Sequence, residues 1–399
     1  MTTRLLFLLL LGVDAFILII QTTELSISYR ESLFLQGDFS FFQALIKLSL
    51  SIFGNNDFAL RLPMIILHLF STIFLFAISE QYLSKRNSLW VVLIFVLLPG
   101  IVSSALIVDS AGFIIFGLLL FVYLSTRVTF ITLLVYLFAL CIVESEFLYL
   151  FFALFLYGMY QKKYNFMSAA IVLVIGSIAL YGFDAHGYPR GYFLDTIGIY
   201  STIFTPIIFL YIFYVLYRKW LTEEYDMLWF IASSALIVSL LLSFRQRIDV
   251  QHFAPYLVLA LPLAAQTFNA SYRVRLKQFR KNYKLAFIIS LGFLMLHSSV
   301  VFFNKYLYWV IETPSKHFAY KMHIAKELSQ ELKKQDIRCV NTNDTIALRL
   351  EFYDISKCND FILTEIEKEN KENANVTISY TNKAIAFYSV TKVNKHIEE

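Results

Sequence analysis

About eleven apolar runs, each close to the length that crosses a bilayer, divide this sequence into short connecting loops. They lie at approximately Leu5 to Ile20, Leu62 to Ile78, Leu89 to Ile107, Ala111 to Leu124, Val128 to Val143, Phe147 to Tyr160, Met167 to Phe183, Tyr200 to Tyr217, Met227 to Phe244, Phe253 to Phe268 and Leu285 to Phe303. Inside hydrocarbon every backbone N–H and C=O must be satisfied by protein, and a helix does this within each run. With 58% hydrophobic and only 16% charged residues, a soluble globule of this length is excluded. The fold class expected is an all-α polytopic membrane protein. The first run has no small-x-small cleavage site after it and reads as a retained span.

Charge orients the bundle. One set of loops carries Lys85-Arg86, Arg127, Lys162-Lys163, Arg218-Lys219 and the cluster Arg273, Arg275, Lys277, Arg280, Lys281, Lys284. The intervening set carries Glu24, Glu31, Asp38, Asp57, Asp109, Glu144, Glu146, Asp184, Asp195 and Asp249. Lys and Arg retained on the cytoplasmic side put the N-terminus inside and the acid-rich face outside. An odd number of spans puts the C-terminus outside as well. A charge at the bilayer centre is expensive, so Asp109, Glu144 and Glu146 are expected at the outer surface, between helical pairs. The net charge of +5 follows from the inner loops and the C-terminal region and needs no nucleic-acid partner.

Two soluble regions are expected on the outer side. Residues 21–56 form a long first loop in which Phe34, Leu35, Phe41, Phe42, Leu45 and Ile46 mix with Gln36, Asp38, Gln43 and Lys47, the pattern of short amphipathic surface helices. After Phe303 the composition turns charged and mixed. Helical periodicity over Ser315 to Gln335, strands at Ile337 to Val340 and Phe361 to Thr364, a helix near Thr345 to Tyr353 and a hairpin from Val376 to Val390 describe a small α/β domain. The division expected is thus 1–303 for the membrane domain and 304–399 for the soluble one. Cys339 and Cys358 both fall in the latter, where an oxidising compartment allows one bridge; Cys141 is left in the bundle.

Candidate chemistry concentrates on the acid-rich face. Glu24, directly after the first span, is placed to act as a general base on an acceptor, or is a solvated loop acid; Glu31 and Asp57 are secondary candidates with the same ambiguity. Asp109 lies between apolar runs without a cation nearby in sequence, and is either a functional acid or the N-cap of the run that follows it. Arg61, before Pro63, either binds phosphate or tethers the first loop through an ion pair. The segment Ser243-Phe244-Arg245-Gln246-Arg247-Ile248-Asp249-Val250-Gln251-His252 breaks the charge pattern by putting two arginines outside. Guanidinium chelates phosphate in a fork, which makes Arg245 and Arg247 anion-binding candidates with His252 as helper; the alternatives are arginines that snorkel to the headgroups and a structural histidine. Metal-ligand spacing, a glycine-rich phosphate loop and a nucleophile elbow are all absent from the sequence. No cofactor is required; a divalent ion bridging carboxylate and phosphate is compatible with the chemistry, and nothing in the spacing demands it.

The run Phe53-Gly54-Asn55-Asn56-Asp57-Phe58-Ala59-Leu60-Arg61-Leu62-Pro63 resembles an element of bacterial GT-C glycosyltransferases of the protein O-mannosyltransferase and aminoarabinose transferase type. Pro99, Ser103, Ser104 and Val108-Asp109-Ser110 are similar to that family's stretch after its third span. The resemblance covers roughly 22–124. It implies an inner-membrane enzyme with its site on the periplasmic face, moving a sugar from a polyprenyl-phosphate donor to a lipid, glycan or protein acceptor with inversion. On that reading Arg245, Arg247 and Arg61 stabilise the leaving phosphate, Glu24 deprotonates the acceptor and Asp109 orients donor or base. Where the family carries an Asp-Glu pair at the start of its first loop, this chain reads Thr22-Thr23-Glu24, and the family's His-Pro-Pro element is replaced by Phe41-Phe42-Gln43-Ala44. Either Glu24 takes over the base role or this branch differs in mechanism. A lipid-linked glycan transporter and an inactive envelope scaffold are the competing readings.

Overall fold

The computed structural model describes residues 2–37, 39–182, 191–366, 372, 374–380 and 382–393. Asp38 and Asp184 of the acidic set, and the start of the loop at 184–199, lie outside the described residues. The chain forms two compact units, residues 1–16 with 64–298 and residues 17–63 with 299–399. This division differs from a cut at 303/304, because the first loop packs with the C-terminal domain. The reason is polar: Arg349 Nε donates to the Ile27 carbonyl at 2.8 Å and the Ile27 N–H donates to Tyr353 Oη at 3.0 Å.

The first unit is helical throughout. Its elements are the N-terminal part of α1 (Thr3–Glu24), and, after the short loop helices α2 (Tyr29–Gln36) and α3 (Phe41–Phe53), most of α4 (Asp57–Tyr82). There follow α5 (Lys85–Leu97), α6 (Pro99–Leu106), α7 (Ser110–Ser125), α8 (Phe130–Val143), α9 (Leu148–Tyr160) and α10 (Tyr164–Tyr181). The last group is α11 (Phe193–Phe204), α12 (Pro206–Thr222), α13 (Met227–Ser243), α14 (Ala254–Leu257), α15 (Ala260–Val274) and α16 (Lys277–Phe302). Among the described residues every apolar run of the sequence contributes helix, yet only four helices are long and apolar enough to span alone, or six if two bent pairs each count as one. Prolines make the bends. Pro99 follows Leu98 at a 63° break, and Pro206 follows Thr205, whose φ is +64°, at a 108° break. The ring removes an N–H and disfavours helical geometry in the residue before it, and here Thr205 leaves the helix, so the single span expected over Tyr200 to Tyr217 is two helices. The membrane reading rests on side-chain exposure as well: only 11% of the apolar window of α16 is buried, leaving Leu285, Ile288, Ile289 and Leu296 facing outward.

Helix contacts inside this unit depend on small residues. A Cβ on Gly112 would lie 2.7 Å from the Ser104 carbonyl oxygen, and one on Gly117 would lie 2.6 Å from the Phe147 ring. A buried Asp14–His68 pair, 2.8 Å apart, joins α1 to α4, with the imidazole stacked on Phe95.

The second unit combines α2, α3 and a four-stranded sheet. After α16, 3-10 turns occupy Asn304–Trp309, Pro314–Lys316 and Tyr320–Met322, and α17 runs only over Ala325–Lys334. The helix expected from Ser315 is thus shorter. Ile324, at φ +81° and ψ −52° with the Ala325 N–H donating to the His323 carbonyl, forms a γ-turn that precedes it. Strands β1 (Cys339–Asn341), β2 (Ser356–Ile366), β3 (Val376–Tyr380) and β4 (Lys383–Lys392), with α18 (Asp344–Glu351) between β1 and β2, give the order β1-β2-β4-β3. β1 pairs parallel with β2, and β4 antiparallel with both neighbours. Alternation in β3 points Val376, Ile378 and Tyr380 inward against Leu328, Leu332 and Leu350. Cys339 and Cys358 are joined as a disulfide, their Cα atoms 5.4 Å apart.

Candidate active site

In the first unit, three loops bring titratable groups together. The turn between α8 and α9 supplies Glu144 and Glu146, the segment between α13 and α14 supplies Asp249 and His252, and the start of α7 supplies Asp109. The elements are fixed locally. Asp109 Oδ1 accepts from the Ala111 N–H at 3.0 Å and caps α7, while Tyr256 donates to the Glu146 carbonyl at 2.6 Å and anchors the α8–α9 turn. Tyr149 packs on Phe253 at a ring separation of 4.3 Å, so one side of the cluster is aromatic.

His252 Nδ1 lies 2.8 Å from Glu146 Oε1 and its Nε2 lies 3.9 Å from Asp249 Oδ2. The first contact is an ion pair rather than an aligned hydrogen bond, and Glu146 Oε2 makes no hydrogen bond. Burial alone would lower the His252 imidazole, but Glu146, Asp249 and Asp109 around it outweigh burial and raise it. Burial likewise opposes charge on Glu146, and the neighbouring imidazole and Glu144 carboxyl outweigh that and lower its pKa to about 2. Glu144 is pushed up, first by burial and then by Glu146 beside it. The group therefore sets a carboxylate that favours its ionised form against an imidazole whose protonated form is favoured and a carboxyl held towards its neutral form, an arrangement that can take or give a proton at a fixed position.

Arg245 and Arg247 are exposed, and their side chains make no hydrogen bond or ion pair among the described residues. They stand in the same segment as His252, between α13 and α14. Glu146 and Glu144 went unnominated as site residues; the signal for them was two acids between apolar runs without a cation near.

The second unit places the other candidates. Glu24 Oε2 meets Lys305 Nζ at 2.8 Å, and the same lysine lies 3.6 Å from Glu327 and over the Tyr380 ring at 4.6 Å. Arg61 is fully buried: it faces Glu31 at 3.8 Å and Asp57 at 3.5 Å and donates to the Ser26 carbonyl at 3.0 Å. Asp57 also receives Tyr353 Oη at 2.6 Å and pairs with Lys326 at 3.1 Å. Glu31 completes a capping box with Ser28 at the start of α2. Arg61, Glu31 and Asp57 are thus committed to holding the first loop, the tether that the sequence left open, and a buried arginine so enclosed does not meet a phosphate. Lys305, Lys326, Arg349 and Tyr353 could not be found from sequence, since their partners are hundreds of positions away.

No protein-family model and no curated protein matches the sequence. Among solved structures, the chain is similar to ArnT from Cupriavidus metallidurans in the apo state, with a TM-score of 0.52 over 98% of both chains. At 10% identity the likeness is one of fold. That shared fold accounts for the layout: a bundle of apolar helices, a long loop after the first of them, and a small mixed domain at the C-terminal end.

Proposed function

We propose that this chain is a membrane glycosyltransferase that moves a sugar from a polyprenyl-phosphate donor to a hydroxyl or amine of a lipid, glycan or protein acceptor on the periplasmic face of a bacterial inner membrane. The observation that carries the reading is the pair of exposed guanidinium groups, Arg245 and Arg247, in the segment that also supplies His252 to the Glu146 contact, in a chain that shares its fold with ArnT. In the reaction a nucleophile on the acceptor attacks the anomeric carbon, the bond from that carbon to the phosphate oxygen breaks, and the phosphate departs with the electron pair. Two guanidinium forks spread the charge that develops on it. The acceptor proton goes to a carboxylate, for which Asp109 is the candidate in the same unit as the two arginines, and inversion follows from attack opposite the leaving group. The donor's own phosphate ester supplies the leaving group, so the reaction balances without nucleotide, redox cofactor or metal.

The test is mass spectrometry of lipids and surface glycans from cells lacking the gene, complemented with the unmutated chain, with Arg245→Gln/Arg247→Gln, with Glu24→Gln and with Asp109→Asn. A sugar lost on deletion and restored only by the unmutated chain is the expected result. Full restoration by all three variants would remove these residues from the reaction. Transport of a lipid-linked glycan has one observation in its favour, the Asp14–His68 pair buried between α1 and α4. Lipid flipping in proteoliposomes that is abolished by Asp14→Asn would decide for it.

A further inference from the structure

The turn from α15 into α16 carries a charge that no ion pair among the described residues neutralises. Arg273, Arg275, Lys277, Arg280, Lys281 and Lys284 follow one another, and no acidic residue occurs between Asp249 and Glu312. Among the described residues none of the six forms an ion pair. One is used internally: Arg280 donates to the carbonyls of Arg275 at 3.0 Å and Arg273 at 2.9 Å, closing the end of α15. Arg275 lies on the Tyr283 ring at 4.2 Å, and Tyr283 stacks on Phe268, so the turn is held in shape by its own cations and aromatics. The remaining cations are exposed.

Apolar side chains alternate with them. Val274 is 88% exposed and Leu276 66%, at the junction of the two helices, and Phe279 is 51% exposed in the first turn of α16. A surface so cationic does not enter hydrocarbon, and one with three large apolar side chains outward is costly in water. The boundary between headgroups and acyl chains accommodates both.

We propose that this turn is a docking surface for anionic phospholipid headgroups, with Val274, Leu276 and Phe279 inserted at the acyl boundary and Arg273, Arg275, Lys277, Lys281 and Lys284 facing the phosphates. Charge complementarity and direct continuity with the long apolar helix α16 select a lipid leaflet as the occupant. The inference depends on the membrane character of the chain and is independent of sugar transfer.

The experiment uses the full chain purified in a zwitterionic detergent and offered equimolar phosphatidylglycerol and phosphatidylcholine, with the retained lipids quantified by mass spectrometry. Phosphatidylglycerol should be enriched, and the enrichment should fall by about fivefold for each cation removed in the series Lys277→Gln, Lys281→Gln, Lys284→Gln. Leu276→Ser/Phe279→Ser should lower retention of both lipids while keeping their ratio. Without any substitution, raising the salt toward about 1 M should erase the preference. Equal retention of the two lipids by the unmutated chain at low salt would overturn the proposal. So would displacement of phosphatidylglycerol by inorganic phosphate at a concentration where chloride of equal ionic strength has no effect, since that result describes a phosphate site and not a lipid surface.

Discussion

Arg61 and Glu31 face each other 3.8 Å apart in the second unit with neither side chain exposed to solvent. The pair is completed by Asp57, one helical turn before Arg61, and by the carbonyl of Ser26. A buried ion pair contributes little relative to an apolar replacement, but removing one partner leaves the other charge unpaired in a low dielectric.

Arg61→Ala should therefore destabilise the second unit by about 3–5 kcal/mol, seen as a lower thermal midpoint and as proteolysis of the first loop in detergent. Arg61→Lys should recover only part of the loss, because an ammonium cannot reach Glu31, Asp57 and the Ser26 carbonyl with one planar fork. A variant Arg61→Ala that melts with the unmutated chain would show that the tether does not hold.

The Glu144–Glu146–His252 cluster predicts a pH dependence with opposite signs. His252 is raised, so its contribution is complete below its unfolded value of about 6.5 and is lost as pH climbs through the folded one. Glu146 is lowered, so its contribution is present above its unfolded value of about 4.3 and is lost as pH falls through the folded one. Glu146→Gln should flatten both limbs of a plot of thermal midpoint against pH.

Glu144 behaves in the contrary sense. Its raised value means that the folded state holds a proton which the unfolded chain gives up above about 4.3, and stability declines from there as pH rises toward the folded value. Glu144→Gln keeps the neutral form and should raise the midpoint at pH 7 by roughly 2 °C or more. A midpoint lowered by Glu144→Gln would mean that the ionised form is the one the fold needs.

Gly112 sits one turn into α7, close to the capping aspartate. Adding a methyl there meets the Ser104 carbonyl at 2.7 Å, a backbone atom that cannot turn aside, and Met64 at 2.6 Å, which can. Gly112→Ala should cost about 1–3 kcal/mol through the displaced backbone. Combining it with Met64→Ala should not restore the midpoint, which separates the backbone clash from the side-chain one.

The Cys339–Cys358 bridge closes a separation of 19 residues between β1 and β2. Its loss in Cys339→Ser/Cys358→Ser should cost about 3 kcal/mol by the chain-entropy relation. Non-reducing mass analysis should show two hydrogens fewer than the reduced chain, and a reductant should lower the midpoint of the unmutated protein and leave the double variant unchanged.

Much of the architecture was legible because hydrophobicity and periodicity are local. The eleven apolar runs are helices, and the period-two pattern of Val376 to Tyr380 and the charged interval after Phe303 marked a small α/β domain. Proline chemistry was visible too, though Thr205-Pro206 had to be seen in three dimensions before one span became two helices at 108°. What tertiary structure decided was which charges meet. Glu146 and His252 stand in separate loops of the sequence, and only the packing of α9, α13 and α14 closes the distance to 2.8 Å. Arg61 carries the same side chain whether it binds a ligand or is walled in by Glu31 and Asp57, and burial chose the second. Residue type and spacing set what a segment can form, because those forces act within a few residues; the partner of a buried charge is set by desolvation and long-range packing, which no local pattern encodes.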